Sequence, residues 1–180
     1  MAASAWASGV ARRSSRPDAS VATRPLASAP ERQYRSAASE RMSQPRTPEE
    51  FRASLYSRKH TLRQLKVKLQ GLAPTDRADA LLGVFTDRTR PETAFADQEL
   101  AGQLLVDLVP ACSRDLDEVL LATASTWNLS VEQLPVYLNQ VFGREAVVQA
   151  ATRLATAFPG EAQEARALQT VRWWLGGKST

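Results

Sequence analysis

Asp115, Asp117 and Glu118 place three carboxylates within four residues, a density that could hold a divalent cation or an acid–base pair. They open an apolar run, where acids are favoured by the positive end of a helix dipole, and no glycine-kinked calcium loop follows. The cluster reads as a helix start. Cys112 and His60 are the only cysteine and histidine in the chain. One cysteine excludes an internal disulfide and a cysteine-built zinc site. Directly after Pro110-Ala111, Cys112 reads as a small buried hydrophobe; a nucleophilic pair with the distant His60 would need a tertiary coincidence. His60, flanked by Arg58, Lys59 and Arg63, reads as a solvated residue on the polar side of a first helix. There is no phosphate-cradling glycine loop, no nucleophile elbow and no metal-spaced histidine pair. No catalytic residue, cofactor or metal ligand is assigned.

Two other groups of residues suit binding better than catalysis. Arg52, Lys59, Arg63 and Lys66 fall on one broad helical face, and no acid occurs between Arg52 and Leu72. Like charges at this spacing repel only by a few tenths of a kcal/mol per pair, a cost that an acidic partner surface would remove. Near the other end, Trp173 and Trp174 are adjacent and so point about 100° apart on a helix. The favoured reading makes one a core residue and the other a cover over its rim. The sharper reading makes one indole a partner anchor. The candidate partner-binding residues are therefore Arg52, Lys59, Arg63, Lys66, Trp173 and Trp174.

The segment from Leu121-Ala122 to Val141, with a turn at Asn128-Leu129-Ser130, resembles the helix-turn-helix of bacterial regulators. That resemblance implies DNA reading, and electrostatics argues against it. From Asp115 to Gly143 there is no Lys or Arg. A recognition helix without a cation would lack the phosphate attraction that dominates DNA affinity.

These residues must be positioned by helices, since apolar periodicities near 3.6 begin at Thr47. Thr47-Pro48-Glu49-Glu50 has the layout of a capping box with proline at the first helical position. The spacing of Phe51, Leu55, Leu62, Leu65, Leu69 and Leu72 predicts one amphipathic helix from there to about Gln70. A second follows Pro74-Thr75-Asp76 with Ala78, Leu81, Leu82 and Phe85. A third opens at Pro91-Glu92 with Phe95, Leu100, Leu104, Leu105, Leu108 and Val109. Ser113 is expected to cap a fourth. Ser130 is expected to cap a fifth, with Gln133 as its reciprocal partner and Leu129 and Leu134 as a hydrophobic staple. Residues 144–158 make a sixth, and a seventh lies beyond Pro159-Gly160. The expected fold is all-α: a single domain of about seven antiparallel helices over residues 47–180, as a compact bundle or a short helical-repeat-like stack. No self-similar period marks a repeat family.

With 180 residues, 43% hydrophobic and 23% charged, the chain can bury one sizeable core. No apolar run approaches a membrane span. The formal charge of +4 is unevenly placed: seven arginines and three acids lie up to Arg41, leaving 16 Lys and Arg against 16 Asp and Glu beyond it. Residues 1–46, rich in Ala, Ser, Arg and Pro, read as a disordered tail. Three accounts of it are open. In the first, translation begins at Met42 or the tail is inert. Alternatively it is an organelle presequence, since Arg32-Gln33-Tyr34 resembles a matrix-protease cleavage context. Third, its Ser-rich composition resembles the export signals of bacterial type III secretion effectors.

The function expected from these features is a non-enzymatic helical interaction module, an adaptor or accessory subunit, with an acidic protein partner. The alternatives are a nucleic-acid-associated protein using the basic first helix, and a secreted bacterial effector. The expected compartment is the cytoplasm, or the mitochondrial matrix if the presequence reading holds. Oligomeric state is left open.

Overall fold

Thr47 starts the first helix as its spacing requires: its hydroxyl accepts the Glu50 N–H at 3.3 Å and Pro48 takes the first helical position. The computed structural model describes residues 44–176. The expectations of a disordered, cleaved or exported tail, and of a start at Met42, fall largely on residues outside this range. Eight helices and no strand occur among the described residues. They are α1 (Pro48–Tyr56), α2 (Leu62–Gln70), α3 (Pro74–Phe85), α4 (Ala94–Leu108), α5 (Leu116–Ala124), α6 (Gln133–Phe142), α7 (Arg144–Ala155) and α8 (Gln163–Gly176). The fold is all-α, with neighbouring helices running antiparallel.

The count exceeds the expected seven because the single helix anticipated from Thr47 to Gln70 is two. α1 stops at Tyr56, Arg58 takes a left-handed backbone with φ 53°, and Thr61 caps a new helix. The second start is a complete capping box: the Thr61 hydroxyl accepts the Gln64 N–H, and the Gln64 side chain accepts the Thr61 N–H at 2.9 Å. The apolar stripe still works across the break, since Phe51, Leu55, Leu65, Leu69 and Leu72 are all buried.

Several expected helix ends shift for identifiable reasons. Pro91 sits in a turn and α4 begins at Ala94, which leaves Phe95 exposed. Asp115, not Ser113, caps α5 by accepting the Asp117 N–H at 2.8 Å. Ser130 does not cap α6. Its N–H donates instead to the Asn128 side-chain oxygen at 3.1 Å, and the Gln133 side-chain oxygen is buried without a partner. α7 ends at Ala155 rather than near 158.

α1 to α4 pack on one another, and α5 to α8 form a second group in which α7 lies along α8. The two groups join mainly where α4 meets α6. Gly102 permits that approach, since a Cβ there would stand 2.7 Å from the Cβ of Gln133. One continuous core runs through both groups and includes Leu65, Leu81, Leu104, Trp127, Tyr137, Val147 and Leu168. No helix among the described residues is long and apolar enough to cross a membrane.

Candidate functional site

The break between α1 and α2 reorganises the basic face that the sequence suggests. Ser57 closes α1, its hydroxyl donating to the Ser54 carbonyl at 2.7 Å. Arg58 then turns inward and donates to Asp97 at 2.7 Å. Asp97 is 3% exposed and sits on the inner stripe of α4 with Ala101, Leu104 and Leu105. Its other oxygen accepts from Arg90 Nε at 3.2 Å and from the Thr93 hydroxyl at 2.6 Å. A buried carboxylate is tolerable only when its lone pairs are so occupied.

The network continues outward. The Arg90 guanidinium lies 4.6 Å from the Tyr56 ring centre, and the Tyr56 hydroxyl donates to Asp87 at 2.7 Å. Partial burial, then the Asp87 carboxylate, push the Tyr56 phenol well above its ordinary range. Asp87 goes the other way. Burial opposes its charged form, but hydrogen bonds from the Thr89 hydroxyl and N–H and from Tyr56, with Arg90 near, hold its carboxyl below the usual range.

Of the four basic candidates, two are occupied within the chain. Arg52 pairs with Glu49 at 3.0 Å and lies across Gly83. Lys66 pairs with Asp107 at 2.7 Å, and that contact holds the Asp107 carboxyl below its ordinary range. Lys59 and Arg63 are different. Both are exposed, and neither charged group has a carboxylate among the described residues. Arg63 lines an open cleft of about 680 Å³ with Gln44, His60, Thr61, Gln64, Val67 and Lys68. No acid among the described residues contributes to its wall, and Val67 is 51% exposed on α2. His60 thus lies in the corner, half-buried at the cleft, rather than on the polar side of a continuous helix.

No protein-family model, no curated protein and no solved structure matches this chain.

The tryptophan pair departs from the favoured expectation. Neither ring is a core residue: Trp173 is 66% exposed and Trp174 36%, their rings in edge contact at 4.7 Å. α8 buries Ala165, Ala167, Leu168 and Val171, and that stripe continues to the half-buried Leu175, so Trp173 faces away from it while Trp174 lies at its edge, in phase with Ala167. The core indole is Trp127, whose Nε1 donates to the Val131 carbonyl at 3.0 Å. The pair and the α2 cleft belong to the two different helix groups.

The remaining candidates for chemistry have structural roles. Beside the capping Asp115, Glu118 pairs with Arg114 at 2.6 Å and Asp117 with Arg153 at 2.8 Å. No cluster of metal-ligating residues occurs among the described residues. Burial raises the Cys112 thiol, which faces the Arg114 carbonyl at 3.8 Å, and so keeps it protonated. On α6, Pro135 and Tyr137 are buried, and the Tyr137 hydroxyl donates to the Pro110 carbonyl at 2.8 Å. That helix is committed to the core on this side and carries no cation.

The feature that sequence reasoning missed is Asp97. Its signal is present: at positions 97, 101, 104, 105 and 108 an aspartate occupies the first place of an apolar stripe. A carboxylate on a core stripe needs cationic partners, and Arg58 and Arg90 supply them.

Proposed function

We propose that residues 47–180 form a non-enzymatic helical interaction module, an adaptor or accessory subunit, that receives an acidic protein surface on α2. One observation carries this reading. Among the described residues Lys59 and Arg63 stand exposed without a carboxylate, Arg63 in a cleft to which no described acid contributes and beside the exposed Val67, whereas Arg52 and Lys66 already have acids of their own. An acidic segment with one apolar side chain would gain charge contacts and cover Val67 at once. The exposed Trp173 and Trp174 offer a second anchoring surface. A protein partner is preferred to nucleic acid because the cationic surface is short and one of its lysines is neutralised by Asp107. The cytoplasm is the compartment we assign. Import into the mitochondrial matrix, or export as an effector, would depend on the Arg- and Ser-rich first 41 residues.

The test is fluorescence anisotropy of a labelled glutamate-rich peptide carrying one leucine, titrated with the full chain at low and high salt. Lys59→Glu with Arg63→Glu is expected to weaken binding by roughly tenfold or more at low salt, and less at high salt. Lys66 is left in place, since a glutamate there would face Asp107. Equal affinities for parent and variant would remove α2 as the docking face. Tighter, strongly salt-dependent binding of a generic DNA duplex would favour the nucleic-acid reading.

A further inference from the structure

The α1–α2 corner combines two features seldom found together. Residues 57–61, Ser-Arg-Lys-His-Thr, contain neither glycine nor proline, and Arg and Lys are good helix formers. The apolar positions Phe51, Leu55, Leu62, Leu65 and Leu69 keep helical spacing straight through them. Yet the backbone bends there, with Arg58 at φ 53°, a left-handed conformation disfavoured for a residue with a Cβ. Apart from the Thr61 capping box, local sequence allows a straight helix. The contact that opposes it is tertiary: Arg58 held by the buried Asp97.

We propose that this corner is a latch, and that its release lets α1 and α2 join into one helix, with α1 exchanged between two copies of the chain. α1 buries Phe51 and Leu55 completely and packs on α3 and α4. Straightening within one molecule would strip both side chains of that cover, so the straight form is stable only where a second copy supplies an α3 to receive them. Reciprocal exchange does this for both molecules and reuses every native contact except those of the corner. In the parent, the Arg58–Asp97 pair, the Thr61 capping box and the entropy of association all favour the bent monomer.

The experiment uses the full chain carrying Cys112→Ala, with spin labels on cysteines placed at Glu49 and Gln70. These positions are exposed near the far ends of α1 and α2. One straight helix would separate them by about 32 Å along its axis, from 1.5 Å of rise per residue, and the bent corner holds them closer. Arg58→Ala removes the latch and places in the left-handed position a residue that favours helix. It is expected to raise the dimer fraction by roughly tenfold or more in size-exclusion chromatography with light scattering, with the long distance appearing in the dimer. Arg58→Gly removes the same ion pair but is at ease with positive φ and disfavours helix, so it is expected to stay monomeric with the short distance. Asp97→Asn, which loosens Arg58 while preserving side-chain size, is a second route to the dimer should Arg58→Ala not fold. Monomers with the short distance in Arg58→Ala, or in Asp97→Asn in its place, would overturn the proposal. So would dimers that show the short distance without the long one, which would mean adhesion without exchange; reciprocal exchange gives both, the long within each chain and the short between the two copies.

Discussion

Two helix breaks in this molecule, one at Arg58 and one at Gly143, look alike as turns and arise from opposite causes. At the α6–α7 corner Gly143 adopts φ 83° and ψ 145°, a region essentially closed to other residues. A Cβ there would meet nothing within 4 Å, so a side chain at this position would be opposed by its backbone conformation and not by a neighbour. The backbone freedom of glycine is enough, and the Gly143 N–H still closes α6 on the Asn139 carbonyl at 3.0 Å. At the α1–α2 corner no residue offers such freedom. Arg58 is held in the left-handed region by the Asp97 carboxylate, which sits on a helix later in the chain. The first break is local and written in one residue. The second combines a local capping box at Thr61 with a contact that α4 supplies.

The comparison can be sharpened by substitutions of decreasing expected effect. Leu104→Ala, on the same inner stripe as Asp97, sets the scale for that face. Leu104 is fully buried, so a loss of about 2–5 kcal/mol is expected from the urea midpoint, with Leu65→Ala in the same range. A midpoint like that of the parent would remove Leu104 from the core.

Asp97→Ala follows, at about 2–3 kcal/mol by the same measurement, taken at low protein concentration to keep the chain monomeric. The loss is less than that of a fully buried pair because Arg58 and Arg90 are partly exposed and regain water. A neutral result would show that the corner does not depend on its carboxylate.

Gly143→Ala is expected to cost about 1–2 kcal/mol, from backbone strain alone. Its signature is that no compensating change of packing relieves it, because the added methyl group touches nothing. A neutral Gly143→Ala would mean that this corner, too, is shaped by its surroundings.

The same contrast explains which parts of the fold could be read in advance. Some starts with a local chemical signal are where the residues imply them, since Thr47-Pro48 opens α1, Pro74 opens α3 and Gly143 separates α6 from α7, whereas Pro91, Ser113 and Ser130 do not open the helices they flank. The buried stripes of α2, α3 and α4 follow from spacing, and Leu65 and Leu104 lie inside as that spacing requires. The break at Arg58 was half visible, since Thr61-x-x-Gln64 is a capping box inside an otherwise continuous stripe. What the stripe could not show is that Arg58 points inward.

Among the candidate binding residues, the amino-acid order alone determined that a basic, acid-free segment runs from Arg52 to Leu72 and that two tryptophans adjoin near residue 173. Helical phase then turns Trp173 away from the stripe of Ala165, Ala167, Leu168 and Val171 and leaves Trp174 at its edge. Which cations remain available was decided by tertiary structure. Asp107 approaches Lys66 from α4 and the buried Asp97 pairs with the partly exposed Arg58, while Arg52 already has Glu49 three residues away in α1, and Lys59 and Arg63 have no such neighbour among the described residues. The physical reason is range. Helical propensity, capping and glycine conformations act over a few residues and so are legible in order, whereas a charge is neutralised by whatever the packing of distant helices brings within a few ångströms of it.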